Sequence, residues 1–197
     1  MVSEDHYVYV KKTNVGIIFL TLHVDDILLA ESDLEFISAT MQWLSSIFEM
    51  KDMGEVRYVL GVEIIRDRPR NLLGLCHKAY IEKVLERFQR HYSKPVDTPV
   101  EKGLTLSLEQ CPTTDDEKQK MSNVPYASTV GSLMYVMLCT RPDICFAVGL
   151  VSRYQSNPGT AHWQAVKKIM RYLRGTTDLV LCYQVGDLIL RGYFDAD

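Results

Sequence analysis

Cysteine is sparse in this sequence and is not paired by spacing. The five cysteines (Cys76, Cys111, Cys139, Cys145 and Cys182) are odd in number and form no C-x-x-C motif. That pattern favours reduced thiols in an intracellular protein over a disulfide scaffold. Cys76, His77 and His91 lack the paired ligand spacing of a zinc site. Long hydrophobic runs are missing as well. The longest, around residues 17–22, is far short of the ~20 residues that a membrane span requires, so no membrane partner is expected. The opening "MVSEDHYVYV" has neither the basic nor the apolar region of a secretory signal. Excess positive charge is absent too: 22 Lys and Arg stand against 25 Asp and Glu, a net charge of −3. A dedicated nucleic-acid-binding domain is usually strongly basic, so any such role must rest on local charge. There is no internal repeat, no phosphate-cradling glycine loop, and no Ser-His-Asp or Cys-His order that points to nucleophilic catalysis.

What remains is the composition of a globular chain. With 197 residues, 47% hydrophobic and 24% charged, it suits one ordinary domain or two small ones. "YVYVKK", residues 17–22 and "ILLA" read as three strands, with "TNVG" as the first turn. Ser32 and Glu35 have capping-box spacing ahead of a helix that aligns Ile37, Met41, Leu44 and Phe48. Val56, Tyr58, Leu60, Val62 and Ile64 alternate as in a strand, "RPRN" turns the chain, and "LLGLCH" pairs back. Ile81, Val84, Leu85 and Phe88 then recur at helical spacing. From residue 94 to 121 three prolines and weak periodicity predict a long connector. Three helices follow: one through "YASTVGSLMYVMLC", one from Pro142 to just before "NPG", and "AHWQAVKKIMRYLRG", closed by Gly175. "LVLCYQ" and "LILRGYF" form a closing strand pair. The expected class is α+β, a sheet with helices followed by a mainly helical part.

The chemistry-bearing stretch is "GIIFLTLHVDDILLAES", in which Asp25 and Asp26 interrupt what otherwise reads as a buried hairpin. Within a strand the two carboxylates would point to opposite faces. At a hairpin turn both can project from one edge, where hard cations such as Mg²⁺ take carboxylate oxygens. Two such ions ~3.5–4 Å apart activate a hydroxyl and stabilise a leaving group in nucleotidyl transfer. The alternative is that both are solvated turn residues, a role aspartate fills well. A second candidate is the set Lys167, Lys168, Arg171 and Arg174 on one helix without an intervening acid, of which Lys167, Arg171 and Arg174 share a face opposite Trp163, Val166, Met170 and Leu173. It could meet phosphates without reading sequence, or be a solvated face. Arg141-Pro142-Asp143 reads as a structural joint, and Tyr126, Tyr135, Tyr154, Tyr172 and Trp163 as core more than base-stacking residues. His162 reads as a surface or capping residue.

"LHVDDILLA" resembles the catalytic hairpin of reverse transcriptases, usually Y-V-D-D in copia-type LTR retrotransposons. "DHYVYVKK", "FEMKDMGEVRYVLGVEIIRDR", "KAYIEKVLERF", "KPVDTPV", "GSLMYVMLCTRPDI", "RYLRGT" and "LRGYFDAD" resemble that family in order and spacing. The likeness to plant-type copia Pol polyproteins covers nearly the whole chain. It implies the C-terminal part of a palm with its catalytic and primer-grip-like hairpins over 1–93, and a connector over 94–121. It further implies a helical thumb and connection over 122–178, and strands leading into a ribonuclease H domain over 179–197. By resemblance, Asp25 and Asp26 are catalytic and bind Mg²⁺, and His23, Leu60 and Gly61 lie at the primer. The basic row contacts nucleic acid, and Asp195 is the first ribonuclease H aspartate. Template–primer, deoxynucleotides and the rest of the Pol polyprotein are the implied partners. The implied location is intracellular, in the cytoplasm or in virus-like particles, with nuclear access left open.

Two departures qualify these roles. His23 stands where the family has tyrosine. The family's first palm aspartate, nucleotide-contacting segments and fingers precede this hairpin, so the chain by itself is expected to be inactive, with an exposed sheet edge or apolar face. Three functions stay open on the sequence. They are a segment of an RNA-directed DNA polymerase, a non-enzymatic remnant of a degenerate element with at most weak nucleic-acid binding, and a small binding module built on the basic helix.

Overall fold

The computed structural model describes residues 5–14, 16–31 and 33–184. It divides into two compact units, 1–55 and 56–197. The first is an antiparallel meander of β1 (Val8–Lys12), β2 (Ile17–His23) and β3 (Asp26–Ala30), followed by helix α1 (Leu34–Ile47). Val8 faces Thr21 and Lys12 faces Ile17 across the first pair, while Phe19 faces Ala30 and His23 faces Asp26 across the second. Asp33 caps α1, its carboxylate accepting from the amides of Glu35 at 2.9 Å and Phe36 at 3.5 Å. The cap is therefore one residue beyond the Ser32 suggested by spacing, because aspartate serves the same two orphan amides.

Little of this first unit is buried. Ile18 and Leu44 are its buried apolar residues among those described, whereas Ile17, Phe19, Trp43, Ile47 and Phe48 are exposed. Ile17 and Phe19 project from the same face of the central strand, so the exposed apolar face expected from the sequence is present.

The second unit carries the main core. Its antiparallel sheet runs β4 (Tyr58–Val59), β5 (Val62–Asp67), β6 (Leu72–Cys76) and β7 (Leu181–Gln184), in that order. Its helices are α2 (Lys78–Arg87), α3 (Asp115–Ser122), α4 (Tyr126–Cys139), α5 (Cys145–Ser152) and α6 (Thr160–Gly175), with short 3₁₀ turns at Leu108–Gln110 and Pro142–Ile144. Ile81 and Leu85 of α2, Val130 and Leu133 of α4, Val148 of α5, and Val166, Ile169 and Leu173 of α6 close one hydrophobic cluster. Burying side chains of this kind stabilises by about 1.5–3 kcal/mol each, before the entropy of ordering them. Tyr126 and Tyr154 belong to this core, and each satisfies its hydroxyl on a backbone carbonyl, Val151 and Leu106, both at 2.8 Å.

Two features differ from expectation. The alternation from Val56 to Ile64 is two strands, not one. Leu60 and Gly61, at φ 51° and 83°, form a two-residue turn with both central residues at positive φ, the type I′ pattern that suits hairpin twist. A two-residue turn leaves period-two alternation unbroken, so the sequence pattern conceals it. The connector contains α3, whose signal is the Thr114–Glu117 capping box. The closing strand β7 pairs with β6 across more than a hundred residues. The "LILRGYF" strand and Asp195 lie outside the described residues.

Candidate functional site

The β2–β3 hairpin closes on the His23–Asp26 pair, leaving Val24 and Asp25 as a two-residue turn. Both carboxylates are exposed at the tip of a hairpin whose strands are otherwise mostly half-buried. The turn suspends the strict alternation that would separate adjacent residues, and it places Asp25 and Asp26 at one end of the sheet. His23 and Asp26 are direct cross-strand neighbours and share a face. Val24 has φ 52° and Asp25 is not in the positive-φ region. A positive first central residue is the type II′ arrangement, in which glycine is the usual occupant. A β-branched side chain there carries strain of roughly 1–3 kcal/mol, a feature that clusters at functional sites. No group of three or more His, Cys, Asp or Glu able to hold a metal ion occurs among the described residues. Two carboxylate side chains nevertheless match the oxygen preference of Mg²⁺, which needs few protein ligands.

Leu60 and Gly61 lie exposed on the β4–β5 turn. The Leu60 carbonyl accepts from the Tyr135 hydroxyl, which ties this hairpin to α4. Behind it Tyr135, Tyr80 and His77 pack ring to ring, with centroids 5.0–5.2 Å apart. His77 is 1% exposed, its Nδ1 is 3.1 Å from the Thr140 hydroxyl, and burial holds its pKa below the ordinary value.

The basic row of α6 is partly engaged by the chain itself. Lys168 pairs with Glu101 at 3.1 Å, Arg171 donates Nε to the Lys94 carbonyl at 2.7 Å, and Arg174 donates Nε to the His91 carbonyl at 2.6 Å. These contacts fasten the start of the connector along the helix. Lys167 faces Arg90 instead; burial first, and then that neighbouring charge, lower its pKa. Sequence spacing did not single out Arg90, which lies 77 positions before Lys167 and meets it only through the packing of α2 against α6.

Arg141 is 2% exposed and lies over the Tyr172 ring. It grips Asp143 through two hydrogen bonds of 2.9 and 2.7 Å and reaches Thr176 through two more, while the Tyr172 hydroxyl donates to Asp143. Burial raises the Asp143 pKa, but these bonds outweigh it and hold the carboxyl below the usual range. The Arg-Pro-Asp joint is thus structural. His162 caps α6 by accepting the Gly159 amide at 2.8 Å, but it is buried and stacked on Tyr154, not at the surface. Its backbone position at the helix start suggested exposure; the packing of Tyr154 over the ring removes it.

Residues 2–102 match the family model "Reverse transcriptase (RNA-dependent DNA polymerase)". The chain belongs to the reverse transcriptase family. It is 51% identical over 195 residues to the retrovirus-related Pol polyprotein from transposon TNT 1-94 of Nicotiana tabacum, covering 98% of this chain and 15% of that protein. It is 35% identical over 195 residues to the Pol polyprotein from transposon RE1 of Arabidopsis thaliana, covering 98% of this chain and 13% of that one. A putative transposon Ty5-1 protein of Saccharomyces cerevisiae is 30% identical over 193 residues, 98% of this chain and 60% of that protein. The likeness to plant Pol polyproteins makes this reverse transcriptase copia-type, and the chain spans about a seventh of those polyproteins. No solved structure matches it. No helix among the described residues is long and apolar enough to cross a membrane.

Proposed function

We propose that this reverse transcriptase chain supplies the catalytic hairpin of an RNA-directed DNA polymerase acting within a longer Pol polyprotein, with Asp25 and Asp26 as carboxylate ligands of Mg²⁺. The supporting observation is the two-residue turn between His23 and Asp26, which presents both carboxylates at the exposed tip of a sheet. Bound Mg²⁺ would lower the pKa of the primer 3′-hydroxyl and offset charge on the leaving pyrophosphate. The chain's own residues position: Val24 holds the turn, and Leu60 and Gly61 present backbone to a primer terminus. Tyr135 keeps that second turn against α4. The helical part, with Lys167, Lys168, Arg171 and Arg174, holds the template–primer. Two-metal nucleotidyl transfer calls for a further carboxylate, which on this reading comes from elsewhere in the polyprotein. His23, in place of the family's tyrosine, favours a second reading, a non-enzymatic remnant with at most weak nucleic-acid binding.

Primer extension on an RNA template with Mg²⁺ tests the proposal. The 197-residue chain and its Asp25→Asn variant are both expected to give no product, whereas a full-length copia-type Pol polyprotein carrying this hairpin extends and loses extension on the same substitution. Extension by the short chain alone would overturn the need for an outside carboxylate. Full extension by the Asp25→Asn polyprotein would remove Asp25 from the chemistry, and a polyprotein inactive with this hairpin but active with tyrosine at position 23 would favour the remnant.

A further inference from the structure

We propose that Arg90, Lys167 and Arg171 form a cradle for the phosphodiester backbone of a nucleic-acid strand. The proposal deepens the reading above, because it replaces the four-residue row on one helix by a three-cation site built from two elements. The site is a groove of about 500 Å³ between α6, α5 and the 99–104 segment, lined by Arg90, Lys167, Lys168 and Arg171 over apolar side chains such as Val100 and Leu150. Four cations line it and one carboxylate, Glu101, which is occupied by Lys168 at 3.1 Å. The other three cations have no carboxylate partner among the described residues.

Each of the three retains donors for a ligand. Arg171 commits only Nε to the chain, at the Lys94 carbonyl. Lys167 makes no hydrogen bond or ion pair within the described structure and lies close enough to Arg90 for that charge to disfavour its own. The Arg90 guanidinium makes no hydrogen bond within the described structure; its Nε is buried, and its two terminal nitrogens remain for a ligand. Neighbouring cations lining one groove repel, so an anion bound between them relieves that repulsion. The guanidinium forks of Arg90 and Arg171 take carboxylate and phosphate oxygens alike, and Lys167 adds a point charge. Phosphodiester is favoured over an acidic peptide because the apolar lining accepts sugar carbons and because the proposed function already supplies a nucleic-acid strand. Arg174 does not line the groove, and its Nε is held by the His91 carbonyl, so it stands outside the site.

The test uses the whole chain and labelled oligonucleotides, a single-stranded RNA and an RNA–DNA duplex, with affinity measured across a salt series. Arg90→Gln and Lys167→Gln serve as probes, since neither side chain holds the fold through a hydrogen bond, and unchanged melting temperatures verify their folding. Each is expected to weaken binding about three- to tenfold and to reduce the slope of log K against log salt by about 1. Lys118→Gln, an equal charge change on α3, is expected to alter neither. The form bound more tightly identifies the strand source, single or duplex. The cradle is overturned if the Arg90 and Lys167 variants behave like Lys118→Gln, or if inorganic phosphate or polyglutamate displaces the oligonucleotide as well as unlabelled RNA does. Absence of any oligonucleotide binding overturns it too, while leaving the catalytic hairpin to be judged by primer extension.

Discussion

Two histidines show how burial sets a residue's chemistry. His77 and His162 are 1% and 0% exposed, and for both the largest influence on the pKa is burial, which lowers it. Each uses Nδ1, towards Thr140 and the Gly159 amide respectively, and neither Nε2 makes a well-formed hydrogen bond, although the Ser107 backbone beside His162 opposes part of the lowering. In the unfolded chain both titrate near 6.5. Above that pH both states hold neutral rings and stability is complete. As pH falls below about 6.5 the unfolded state takes up protons first, so stability drops until the folded pKa is reached. The urea midpoint is therefore expected to fall between pH 7 and pH 5. His162→Gln, which can still accept the Gly159 amide, should flatten that slope; an unchanged slope would show that His162 protonates as easily folded as unfolded.

At the scale of elements, α6 is fixed at its start by close approach. A Cβ on Gly159 would lie 1.8 Å from the Gln110 carbonyl oxygen, so the helix N-terminus rests directly on the 3₁₀ turn of the connector. Gly159→Ala must push those segments apart and is expected to destabilise by about 1–3 kcal/mol, read as a lower urea midpoint at constant slope. Gly131→Ala is the contrast. It sits inside α4, a Cβ there meets nothing, and the change should stabilise by up to about 1 kcal/mol through helix propensity. Further along α6, Arg171 and Arg174 hold the carbonyls of Lys94 and His91, so one helix fastens the irregular stretch that follows α2.

Across the whole molecule the two units are unequally finished. The second has a continuous core, whereas the first buries Ile18 and Leu44 and leaves Ile17 and Phe19 exposed on one face of β2. An exposed apolar sheet face favours association. Replacing Ile17 and Phe19 together by Thr, which keeps strand propensity, is expected to suppress concentration-dependent light scattering several-fold without loss of the strand signal in circular dichroism. Scattering equal to that of the unaltered chain would place the sticky surface elsewhere.

Local pattern determined much of this protein. The helical periodicity of residues 126–139 and 160–175, the strand patterns around "HVDD", and the capping spacing at Thr114 all act within a few residues, where turn geometry and side-chain period decide the outcome. The aspartate pair was legible for the same reason: a hairpin turn is a local event. What only tertiary structure decided comes from residues far apart in the chain. It brought β7 to β6, buried His162 under Tyr154, tied the Leu60 turn to Tyr135, and set Arg90 against Lys167. Such contacts follow from how whole elements pack, and no window of sequence carries the energy that selects them.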